Sequence, residues 1–277
     1  MIYITFKYVY NFPLIMVLGK DIRLNRILNK GKMLCIPMDH GISSGPLKGI
    51  KDITNFIYDV EYSGLTCIVV NKGIIKVLSR PINIGCIAHM SASTSFGPDP
   101  NKKILMGTVK EAIRLGADAV SLHINIGSKE EPMMLYSLGL AADECNEWSV
   151  PLIAMMYPRG ENIKNPLDSS VVSHVARIGA EAGADIVKTV YTGDIDSFKD
   201  VVKSCPVPIV IAGGPKSKTD LDILKMCYDA IKVGAIGVTF GRNIFEHQNP
   251  KKIINSLYRI IFEDKKYDEV LENFNKK

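Results

Sequence analysis

The chain has 277 residues, 47% of them hydrophobic and 23% charged, with a formal net charge of +5. These are the proportions of a globular protein with a sizeable core, and no basic stripe interleaved with aromatics speaks for nucleic-acid binding. Six scattered cysteines (Cys35, Cys67, Cys86, Cys145, Cys205 and Cys227) form no C-x-x-C pair, which argues for a reducing cytoplasm over a disulfide framework.

The opening stretch MIYITFKYVYNFPLIMVLG is apolar, but Lys7, Asn11 and Pro13 interrupt it and no small-residue cleavage site follows. A membrane span or signal peptide is therefore not expected. An interfacial anchor, or a start placed too early with Met16 as the true initiator, are the remaining readings. Residues 1–19 are set aside as an extension, 20–265 form the folded unit, and 266–277 are a C-terminal tail.

From Met33 onward, short apolar runs alternate with segments of helical period. The strand candidates are residues 33–38, 66–71, 83–89, 118–124, 151–157, 185–190, 208–213 and 235–241. They are near-continuous hydrophobic runs, as expected of parallel strands covered on both faces. Between the fifth and sixth lies a helix with Ser169 or Ser170 as N-cap and Gly183 as stop. Between the last two, Thr219 is the expected N-cap, with Asp222 at the capping-box position. Its apolar stripe runs Leu221, Leu224, Cys227, Tyr228, Ile231, and Gly234 ends it. RLGADAV, EAGADIV and KVGAIGV are three alike helix-to-strand junctions. Such a recurring βα unit over roughly 240 residues predicts a single (β/α)8 barrel. A doubly wound open sheet is the competitor, but MDHGISSG stands where its G-x-G-x-x-G turn belongs.

Barrel active sites lie at the C-terminal mouth. The strand ends put Asp39, His40, Asn71, Lys72, His89, His123, Tyr157, Arg159, Lys188, Gly213, Gly214, Gly241 and Arg242 there. Lys188 stands in the otherwise apolar run DIVKTV. Desolvation favours its neutral amine, which can form a Schiff base with a ketone; the alternative is a lysine that snorkels or pairs with a carboxylate. AGGPKS and FGRNIF follow strands seven and eight, where backbone amides and Arg242 suit a phosphate; ordinary tight turns would also use these glycines. Asp39 and Tyr157 complete an acid–base set facing Lys188, or serve as a cap and a core aromatic. Convergence of His40, His89 and His123 on zinc is a rival chemistry, and a non-catalytic phosphometabolite-binding barrel is a third reading.

PMDHGISSGP, LIAMMYPRG, GADIVKTVYTGD, AGGPK and GRNIF together resemble the archaeal class I aldolase family. Within it they are most similar to its 2-amino-3,7-dideoxy-D-threo-hept-6-ulosonate synthases, in register from about Lys20 to Asp264. The resemblance implies a transaldolase-type step toward 3-dehydroquinate and the aromatic amino acids, or, alternatively, fructose-1,6-bisphosphate aldolase activity. It implies Lys188 as Schiff-base lysine, Tyr157 as proton donor and Asp39 as proton acceptor. Substrate contacts would fall on Asp39, His40, Gly41, Ile42, Ser43, Tyr157, Pro158, Arg159, Lys188, Gly213, Gly214, Gly241 and Arg242. The implied substrates are 6-deoxy-5-ketofructose 1-phosphate and L-aspartate 4-semialdehyde, with no metal or organic cofactor, and the implied assembly is a homo-oligomer.

Overall fold

The computed structural model describes residues 18–275; the readings of residues 1–17 lie outside the described residues. Eight parallel strands close into a barrel: β1 Met33–Pro37, β2 Cys67–Asn71, β3 Gly85–His89, β4 Ala119–Ile126, β5 Leu152–Pro158, β6 Ile186–Val190, β7 Ile209–Ala212 and β8 Gly237–Thr239. Each pairs with its sequence neighbours, and β8 returns to β1. All eight expected strands are present. β4 runs two residues further than its apolar pattern suggests, because Asn125, a polar residue, is buried within it.

Strand alternation divides the core in two. One set, including Met33, Cys35, Cys67, Val69, Ile87 and Ile153, fills the barrel. The other, including Leu34, Ile68, Leu122, Ala154 and Val187, packs outward under the helices. Helix Leu18–Ile27 closes the lower end, with Ile27 buried among the interior residues. Two ion pairs pin it there: Lys20 Nζ lies 3.0 Å from Asp185, and Arg26 Nε 3.2 Å from Asp118. These are the aspartates of the two Gly-Ala-Asp junctions. Their other carboxylate oxygens accept backbone N–H groups of Leu152 at 2.8 Å and Cys86 at 2.9 Å. The repeated motif thus stitches each incoming strand to an earlier one. After the barrel, helix Tyr267–Asn275 follows and Val270 is buried.

The helix ends follow local chemistry. Thr219 and Asp222 form the full capping box ahead of helix Asp220–Lys232. Gly116, Gly183 and Gly234 all take positive φ at the three junctions, where a side chain would be strained. Two details differ from expectation. Helix Ser169–Glu181 is capped by Asp168, whose carboxylate accepts from the amides of Ser170 and Val171. Leu221 is exposed, and Ile223 takes its place on the buried face.

Candidate active site

Lys188 is the interior-facing residue of β6, between Ile186 below and Val190 above. It lies in register with Met155 on β5 and Val210 on β7, and only 5% of it is exposed. Burial in the barrel's throat follows from strand parity: any residue at 188 must point inward. Its Nζ lies 3.8 Å from Met155 Sδ, and the Tyr157 phenol acts on its charge. Burial pushes the amine toward neutrality, but Tyr157, Asp39 and Cys35 outweigh it and hold its pKa above the ordinary lysine value. The resting side chain is therefore an ammonium, contrary to the neutral amine that desolvation alone implies.

Asp39 precedes a short helix, His40–Ser44, that follows β1. It stands at the N-cap position, yet its carboxylate makes no capping hydrogen bond and is left for the mouth. His89 Nε2 is 3.6 Å from Asp39 Oδ2, and His40 Nδ1 is 3.9 Å from Oδ1. Burial would raise this carboxyl's pKa; His89, His40 and Lys188 bring it down to about 2. Burial depresses both imidazoles. Asn71 Nδ2 donates to Asp39 O at 2.9 Å and fixes the turn.

Tyr157 is buried near the top of β5. Its ring packs at a tilt against His123, centroids 4.7 Å apart, and the Arg159 guanidinium lies over it at 4.7 Å. Pro158 ends the strand, buried. Gly41 and Ile42 line a cleft of about 570 Å³ that also contains Asn71, His89 and Met106. Ser43 offers its carbonyl to the amide of Ser95 at 3.0 Å.

The late glycine turns meet at the rim. Arg242 Nη2 donates to Gly214 O at 3.0 Å. Buried Asn243 donates to Gly213 O at 2.9 Å and accepts from Ser217 N at 2.7 Å. Gly214 has φ +64°. A Cβ on Gly241 would sit 2.9 Å from both His40 Cε1 and Pro37 O, so glycine lets the β8 turn approach His40.

Lys188, Tyr157 and Asp39 are thus brought together, with His40 and His89 around the carboxylate. The three-histidine centre is not assembled. His123 is engaged through Nε2 with Asn125 Oδ1 at 2.8 Å, and His89 through Nδ1 with Ser121 Oγ at 2.9 Å. Among the described residues no three His, Cys, Asp or Glu side chains form a metal-holding group. Sequence reasoning missed Ser121, Asn125 and Asn243. Buried polar residues inside strands were the available signal for the first two, since such groups need partners.

A model of the DeoC/LacD family aldolases matches residues 33–247. The chain is 42% identical over 258 residues to 2-amino-3,7-dideoxy-D-threo-hept-6-ulosonate synthase 1 of Archaeoglobus fulgidus, covering 92% of this chain and 96% of that one. It is 36% identical to 2-amino-4,5-dihydroxy-6-oxo-7-(phosphonooxy)heptanoate synthase of Streptomyces griseus, covering 88% and 90%. A solved Schiff-base-forming fructose-1,6-bisphosphate aldolase superposes with a TM-score of 0.83 at 28% identity, covering 88% of this chain and 100% of that one. A buried lysine facing a carboxylate and a phenol in a closed eight-stranded barrel accords with these matches, and the chain belongs to the DeoC/LacD family of aldolases.

Proposed function

We propose that this enzyme is a 2-amino-3,7-dideoxy-D-threo-hept-6-ulosonate synthase, transferring a hydroxyacetone unit from 6-deoxy-5-ketofructose 1-phosphate to L-aspartate 4-semialdehyde. The observation that carries the Schiff-base chemistry is Lys188 buried in the barrel throat, with Tyr157 and Asp39 as the groups that act on its amine; the identity with the Archaeoglobus fulgidus synthase supports the substrate pair.

Lys188 must first lose its proton, and Tyr157 and Asp39 are the groups at hand to move it. The free amine adds to the C5 ketone, and loss of water gives the iminium. This cation draws electrons from the C3–C4 bond. As that bond breaks, Asp39 takes the C3 hydroxyl proton, C3 becomes the aldehyde of phosphorylated hydroxypyruvaldehyde, and an enamine remains on Lys188. Neutralising the nitrogen removes a cation from beside Asp39 and raises its basicity as the proton arrives. The enamine carbon then attacks the semialdehyde carbonyl, Tyr157 protonates the new alkoxide, and water releases the seven-carbon ketone. Gly213, Gly214, Gly241 and Arg242 hold the phosphate of the donor, and Asp39 to Ser43 and Tyr157 to Arg159 border the sugar.

The test is product analysis with the phosphorylated diketose, with and without aspartate semialdehyde. A phosphate-free seven-carbon amino acid formed only with both substrates is expected, and borohydride should trap the donor on Lys188. Lys188→Arg should lower turnover more than about a thousandfold with the fold retained; full activity in this variant removes the mechanism. Chelator should leave activity intact. The second reading, fructose-1,6-bisphosphate aldolase, is favoured by the structural superposition, and cleavage of that bisphosphate at the faster rate would select it. The reading also makes the chain a homo-oligomer; helix Glu131–Glu147 exposes Met133, Tyr136 and Leu140 on one side, and light scattering would show the assembly.

A further inference from the structure

The loop between β3 and β4 enters none of the steps above, yet it reaches the mouth. Two-residue strands Ser91–Ala92 and Ile104–Leu105 pair in antiparallel fashion and shape residues 91–105 into a hairpin. The hairpin is fastened to β4 beside the active site: His123 N donates to Ser91 Oγ at 3.0 Å, and Asn125 Nδ2 donates to Asn101 O at 2.8 Å. Asn125 is the same residue that engages His123, whose ring packs at a tilt against Tyr157. Lys103 follows two residues after Asn101. Its Nζ donates to Ser93 Oγ at 2.5 Å, and Ser93 in turn donates to Pro100 O at 2.8 Å, which aims a half-buried ammonium instead of leaving it to wander.

Two features show that this cation is not simply part of a surface ion pair. Among the described residues, neither Lys103 nor Arg159 has a carboxylate within 4.0 Å, although other mouth lysines such as Lys72 do. Burial and then Arg159 lower the pKa of Lys103, against the opposing pull of Asp39 and Asp99, and the Lys103 charge adds to the burial that depresses His123 and His89. A like charge acting on a half-buried ammonium that no carboxylate pairs within 4.0 Å favours the arrival of an anion. Barrel order puts Lys103 and Arg159 at β4 and β5, across the mouth from the turns after β7 and β8. Asp99, on the same hairpin, acts on Lys103 without pairing to it within 4.0 Å. The hairpin therefore carries both a positive and a negative group, Lys103 and Asp99, as a zwitterionic ligand requires.

Resting on the transferase reading above, we propose that Lys103, with Arg159, is the subsite that holds the α-carboxylate of the incoming amino-acid aldehyde. Lys103 is then a specificity-determining residue, which selects an amino-acid acceptor over an uncharged aldehyde. A charge-assisted hydrogen bond of this kind corresponds to a factor of about ten or more in affinity.

The experiment compares wild type, Lys103→Met and Lys103→Arg with two acceptors, aspartate semialdehyde and propanal, at fixed donor. Lys103→Met should raise KM for aspartate semialdehyde about tenfold or more with kcat little changed, and Lys103→Arg should recover most of it. With propanal, which has no carboxylate, wild type and Lys103→Met should perform alike. An equal loss with both acceptors, or an unchanged KM for the semialdehyde, overturns the assignment. Borohydride trapping of the donor ketose on wild-type enzyme separates the two levels. An adduct with no KM effect sinks the subsite alone, whereas no adduct sinks the Schiff-base reading and the subsite with it.

Discussion

Burial by itself would lower the pKa of Lys188, and the net shift is upward because Tyr157 and Asp39 act on it across the throat. Replacing Asp39 with Asn should therefore lower the pKa of Lys188, so that borohydride trapping reaches half its plateau at lower pH than in wild type, while turnover falls. An unmoved midpoint would mean that the carboxylate does not act on the amine. The same contact has a stability consequence. Asp39 has a folded pKa of about 2 against an unfolded value near 3.9, so its stabilisation is complete above the unfolded value and lost as pH falls through about 2. The difference corresponds to about 2–3 kcal/mol, and acid unfolding curves should show the loss between about pH 4 and 2 in wild type but not in Asp39→Asn. Lys188 titrates with the opposite sign: its raised pKa stabilises below the unfolded lysine value and is lost as pH rises through the folded one. That these three residues lie at the C-terminal mouth was legible in the sequence, and their protonation was not, because charge depends on neighbours brought from β1, β5 and β6.

Local rules govern the elements. Thr219 and Asp222 satisfy two orphan amides reciprocally, and Thr219→Ala should cost about 1 kcal/mol in denaturant unfolding with kcat unchanged, since helix Asp220–Lys232 lies outside the barrel. Loss of activity at full stability would contradict that separation. The Gly-Ala junctions were readable because positive φ is a local demand. The choice of Asp168 over Ser169 or Ser170 as cap was not, since Asp and Ser are both good caps and only the path of the preceding chain decides among the three positions. The hairpin at 91–105 escaped for another reason. Its strands are two residues long, too short for any alternation to register, and tertiary bonds from β4 hold it.

Closure of the whole barrel depends on one seam. β1 meets β8 through Met33 and Gly237, and a Cβ on Gly237 would lie 1.9 Å from Met33 O. Gly237→Val should therefore prevent closure and yield unfolded or insoluble protein, read by circular dichroism and solubility; a soluble, active variant would show that the seam has slack. The eight parallel strands, their order and the inward face of residue 188 were determined by the sequence alone, because hydrophobic period and strand parity are short-range properties. Tertiary structure alone decided that His123 is engaged by Asn125, that Asp39 is spared from capping, and that the hairpin carrying Lys103 is fastened to β4. Each of these joins residues far apart in the chain, and only closing the barrel brings such groups within reach of one another.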